Sequence, residues 1–95
     1  MANKVWVVLK ERHTEEESWE VVLGVYDNEA DAIARVNEVF DESEDEYIEN
    51  YGGTEDFVAE NHNNGYAELH LDFGWDDTII KASEYEINKQ TYDSI

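Results

Sequence analysis

The sequence predicts an α+β domain: an antiparallel sheet in the order ββα(α)ββ, with helices packed on one face. Three observations carry that prediction. Two short β-branched runs near the start are separated by a polar loop. A long stretch then spaces its apolar residues as a helix does, and a clean two-residue alternation returns in the last third. Ninety-five residues suffice for one acidic domain, 1–95, with a modest core. The 41% hydrophobic and 13% aromatic content sets the chain apart from disordered acidic tails, despite a formal net charge of −19.

The first strand is KVWVVLK, residues 4–10, with Val5, Val7 and Leu9 on one face and Trp6 and Val8 on the other. The polar stretch ERHTEEE reads as a hairpin loop. SWEVVLGVY, residues 18–26, follows as a second strand, with Trp19, Val21, Leu23 and Val25 on one face. Gly24 within it points to a bulge or to close approach by another element. Asp27 is the expected helix N-cap and Asn28 its rival, with Glu29 and Asp31 complementing the dipole in the first turn. Ala30, Ile33, Val36, Val39 and Phe40 lie along one side of the helix, Tyr47 and Tyr51 extend that side, and Gly52-Gly53 stop it. Thr54 is expected to cap a second, short helix through Phe57 and Val58, ended by NHNNG. YAELHLDF, residues 66–73, alternates Ala67, Leu69, Leu71 and Phe73 against Tyr66, Glu68, His70 and Asp72. GWDD turns the chain into a last strand, TIIKASEYEINK, with Ile79, Tyr85 and Ile87 on a shared face. The tail QTYDSI is expected to fray.

The charge is the main functional lead. There are 25 acids against 6 bases, so nucleic acid and anionic membrane surfaces should repel the molecule, and basic proteins or cations are the natural partners. Between residues 38 and 49 lie seven carboxylates (Glu38, Asp41, Glu42, Glu44, Asp45, Glu46, Glu49) and no base. As a helix this run spans roughly 18 Å, about one charge per 2.6 Å, against about one per 1.7 Å of duplex DNA axis. Like charges at i, i+4 each destabilise a helix by about 0.2–0.5 kcal/mol. A solvated face is the plain explanation; imitation of a phosphate track is the functional one. Glu15, Glu16 and Glu17 with Glu11 and Glu20, and Asp72, Asp76 and Asp77, form further acidic clusters. Tyr47 borders the long run as a candidate aromatic anchor, and Trp6, opposite Val5, Val7 and Leu9, offers an alternative contact.

Other chemistry is poorly supported. There is no Cys, hence no disulfide and no thiolate metal site. Asn61, Asn63 and Asn64 before Gly65 lack the Asp and Glu positions of an EF-hand, and His13, His62 and His70 show no paired zinc-ligand spacing. The expectation is therefore no metal and no cofactor. Asp72-Phe73-Gly74 matches a kinase tripeptide by chance, since no Gly-rich loop or catalytic Lys accompanies it. No nucleophile motif is present, so an enzyme is not expected. The opening, MANKVWVVLKER, lacks a secretory pattern, and no stretch approaches the ~20 apolar residues of a membrane span, so a cytoplasmic protein is the expectation.

KVWVVLKE, GVYDNEADAIARV and ASEYEINK together resemble a group of small phage and bacterial proteins of unknown function. The likeness covers about half the chain and implies a fold, with no catalytic residues to carry over. The acidity of residues 41–65 is similar in character to phage-encoded DNA mimics, a class that includes anti-restriction and anti-CRISPR proteins. That resemblance implies an inhibitor that occupies the basic nucleic-acid groove of a host defence nuclease. Glu38, Asp41, Glu42, Asp45, Glu46 and Glu49 would make contact, with Tyr47 as anchor. An immunity protein neutralising a cognate nuclease toxin would need the same acidity. An acidic adaptor domain would need only its solubility.

Overall fold

A computed structural model describes residues 3–53 and 56–87. The chain forms β1 (Asn3–Thr14), β2 (Ser18–Tyr26), α1 (Glu29–Tyr51), β3 (Phe57–Asn61), β4 (Tyr66–Leu71) and β5 (Asp76–Ile87). The strands make one sheet in the order β2-β1-β5-β4-β3, every neighbouring pair antiparallel. The α+β class therefore holds, with ββαβββ in place of ββα(α)ββ. Phe57 and Val58, expected in a second helix, lie in β3 instead, and the proposed cap Thr54 is outside the described residues, as is the tail QTYDSI. The reason is packing. As a strand, FVAEN pairs with β4 from Phe57↔Leu71 to Asn61↔Ala67 and turns Phe57 and Ala59 onto the core. NHNNG then closes the hairpin, with Asn63 and Gly65 at positive φ.

The helix covers one face of the sheet. Its inward residues, Ala32, Val36, Val39, Phe40, Ser43 and Tyr47, meet Val8 of β1, Ala67, Leu69 and Leu71 of β4 and Ile80 of β5. β4 keeps the predicted alternation: Ala67, Leu69 and Leu71 are buried, while Phe73 falls in the following turn and is exposed. In β1 the core side is the one carrying Trp6 and Val8, so Trp6 packs under the helix and is not a surface contact. Val5, Val7 and Leu9 line the opposite, uncovered face.

Two glycines hold positions that a side chain would disturb. β2 bulges where Val8 pairs with Gly24 and Leu9 with Val22, which leaves Leu23 as the extra residue. The bulge turns Val25 outward, away from the side expected of it, and Leu23 stays against the core. A Cβ on Gly24 would sit 2.8 Å from the ring of Tyr26 in the same strand, so the glycine marks the bulge and not the approach of another element. At the helix end, a Cβ on Gly52 would run into the Ile48 carbonyl, which accepts the Gly52 N–H at 2.8 Å. At the other end Asn28, rather than Asp27, is the N-cap: its side-chain oxygen accepts from the Asp31 N–H at 2.9 Å.

Candidate functional site

All seven carboxylates of the long acidic run lie on α1, so the run is helical throughout. Glu38, Asp41, Glu42, Asp45, Glu46 and Glu49 are exposed, and Glu44 is half-buried. At 3.6 residues per turn the six exposed groups fall within about 140° of arc, centred away from the side that carries Val36, Phe40, Ser43 and Tyr47. Their density along the axis is about one per 3 Å, close to the ~3.4 Å per charge of a single DNA strand. Arg35 pairs with Glu38 one turn earlier. Among the described residues the other five make no ion pair, and no base occupies the last turn, where acids oppose the helix dipole.

The aromatic anchor expected beside them is not on the surface. Tyr47 is 1% exposed, because its position on the helix is the one that faces the sheet. Its hydroxyl donates to the Asp76 side chain at 2.8 Å and lies 3.0 Å from the Thr78 hydroxyl. Asp76, also 1% exposed, receives a two-pronged pair from Arg12, Nε to Oδ1 at 3.0 Å and a terminal nitrogen to Oδ2 at 2.7 Å, and a further bond from the Tyr51 hydroxyl. Burial by itself would raise the Asp76 pKa; the donors Arg12, Tyr51 and Tyr47 outweigh it and hold the carboxyl below its ordinary value. Burial, foremost, pushes the Tyr47 hydroxyl up, so it stays a donor. This buried cluster fastens the C-terminal half of α1 to the ends of β1 and β5.

The same contacts bring the separate acidic clusters to one end of the molecule. Thr14 pairs with Asp76, so the β1–β2 turn carrying Glu15, Glu16 and Glu17 lies beside the β4–β5 turn carrying Asp72. Tyr47 ties the acidic half of the helix to that same corner. Asp72, Asp76 and Asp77 do not converge on a common point: Asp76 faces inward to Arg12, Asp77 lies on the uncovered sheet face, and Asp72 is in the turn. Glu11 and Glu20 sit opposite each other across β1 and β2, and a hydrogen bond between them lowers the pKa of Glu11 and raises that of Glu20. Two hollows, about 230 Å³ beside Glu11, His13 and Trp19 and about 160 Å³ beside His13, His70 and Asp77, fall below the usual size of small-molecule sites.

No family model matches the chain, and no curated protein or solved structure is found similar to it. No helix among the described residues is long and apolar enough to cross a membrane. What defines the molecule is an acidic α+β domain whose helix offers to solvent a row of six carboxylates, five of them without an ion-pair partner among the described residues.

Proposed function

We propose that this chain is a phage-type inhibitor of the anti-CRISPR or anti-restriction kind, which presents α1 as an imitation of a nucleic-acid backbone to the basic groove of a host defence nuclease. One observation carries the reading: six exposed carboxylates share one helix face, five of them without a cationic partner among the described residues. That arrangement lowers helix stability through repeated i, i+4 repulsion, and binding to a basic groove would relieve it. Nuclease channels use Lys and Arg to hold phosphates, so carboxylates at strand-like spacing would compete for the same side chains. The Glu15–Glu17 turn and Asp72 at the same end would widen the contact, and the field of the whole molecule would speed encounter. No catalytic step belongs to this reading.

The test is inhibition of DNA cleavage by a panel of purified restriction enzymes and CRISPR effectors. Wild-type protein should inhibit at least one, less so as salt rises, and added nucleic acid should compete. Asp41→Lys, Asp45→Lys and Glu49→Lys together should abolish inhibition, whereas replacing Glu15, Glu16 and Glu17 should weaken it less. Full inhibition by a folded triple Lys variant would show that α1 is only a solvated face.

A further inference from the structure

At the turn end of the β3–β4 hairpin, beside the middle of β5, the fold brings together Glu60, His62 and Glu68. One ligand atom from each lies within 4.8 Å of the others. Glu60 and Glu68 are direct cross-strand partners, and both project to the face the helix leaves uncovered. Like charges in that position repel, and a cation between them would relieve the repulsion. His62 follows two residues after Glu60, and its Nε2 is 3.8 Å from the Glu60 carboxylate. The parts around it restrict these ligands. The His62 ring packs against Tyr66 with centroids 5.5 Å apart, and the Tyr66 hydroxyl donates to Glu68 Oε2 at 3.3 Å. The His62 backbone N–H, meanwhile, donates to the Tyr66 carbonyl at 3.0 Å.

We infer that Glu60, His62 and Glu68 form a binding site for a divalent transition-metal ion, with water completing its coordination. One imidazole nitrogen and two carboxylates suit zinc, cobalt or manganese better than calcium, which takes six to eight oxygens. Tetrahedral zinc with bonds of ~2.0–2.2 Å places its ligand atoms about 3.3 Å apart. Closing from 4.8 Å to that separation needs only side-chain rotation in two flexible glutamates. The Tyr66 hydroxyl on Glu68 then acts as the outer partner that orients a metal-bound carboxylate. The ligands meet across a strand pair, so spacing along the chain conceals them.

A net charge of −19 attracts cations everywhere, so the experiment must separate a site from an atmosphere. Calorimetric titration of the full chain with zinc chloride at physiological salt should give one saturable event per chain. His62→Ala and, separately, Glu68→Gln should each weaken it at least about tenfold. Asp72→Asn, in the β4–β5 turn, should leave it unchanged. Cobalt(II) should show the visible absorption of a four- or five-coordinate ion in the wild type and lose it in His62→Ala. Glu68→Gln also removes the Glu60 repulsion, so its unfolding midpoint without metal should not fall, and lost binding cannot then be ascribed to misfolding. Non-saturating heat, or saturable binding indifferent to His62→Ala, would overturn the site.

Discussion

Asp76 and the carboxylates on the outer face of α1 belong to one residue class and lie a single helix apart, yet their surroundings are opposite. Asp76 is enclosed, with an arginine fork and two tyrosine hydroxyls aimed at it. Asp41, Glu42, Asp45, Glu46 and Glu49 stand in water with no cation beside them among the described residues. The lesson is that the carboxylate buried at Asp76 is paired, whereas most of those displayed on the outer face of α1 are not, among the described residues. The two kinds should therefore answer to substitution with opposite sign.

Truncating the buried carboxylate is the most severe challenge. Asp76→Ala strands the Arg12 guanidinium and should lower unfolding stability by about 3–5 kcal/mol in urea titrations. A loss below about 1 kcal/mol would mean that Arg12, Tyr47 and Tyr51 find water instead. Tyr47→Phe removes one donor and leaves the ring in place, so about 1–3 kcal/mol should go.

Acid sharpens the contrast. Since the folded Asp76 carboxyl is held below its unfolded value, its contribution is complete above the ordinary carboxylate range. It disappears as pH falls through the depressed folded value. Unfolding midpoints recorded below about pH 4 should fall more steeply in wild type than in Asp76→Asn, which has nothing there to titrate. Parallel slopes would remove Asp76 as a source of the acid response.

Two changes should stabilise. Ser43 is buried in the helix–sheet contact, and its hydroxyl has no hydrogen-bond partner among the described residues. Ser43→Ala should gain about 0.5–1 kcal/mol through removal of that hydroxyl and better helix propensity. Asp45→Lys replaces two i, i+4 repulsions, with Asp41 and Glu49, by attractions, and should gain a few tenths of a kcal/mol for each pair. Thermal midpoints should show that gain shrink as salt rises. A destabilised Asp45→Lys variant would contradict the view that the outer face is strained by its own charge.

The legibility of these features in the chain follows the range of the forces behind them. Alternation at 66–71 and helical spacing from Ile33 to Tyr47 are local, and both elements are where the pattern puts them, although Ala30, expected on the inward side, is exposed and Ala32 is buried instead. β1 is apolar on both faces, so nothing local decides between Val5-Val7-Leu9 and Trp6-Val8; the helix decides it. In FVAEN the turn signals of Thr54 and NHNNG read as helix caps, because a five-residue strand shows its nature only once paired with β4. Tyr47 was legible as an apolar-side residue of α1 and still misread as an anchor. Its partner Asp76 is 29 residues away, and Arg12 is 64 from Asp76, distances at which no spacing rule operates. The acidic row was visible as composition. Its exposure and its lack of partners required the fold.

The pairing of β1 with β5, from Asn3↔Ile87 to Thr14↔Asp76, also sets when this fold can close. During synthesis β1 can join β2 and the helix can form early. One long edge of β1, and much of the apolar underside of α1, must then wait for β5 to leave the ribosome. Such late, long-range closure is slow and exposes sticky intermediates to aggregation. Over that interval the repulsion of the helix carboxylates also works between chains, opposing the association of unfinished copies until β5 arrives.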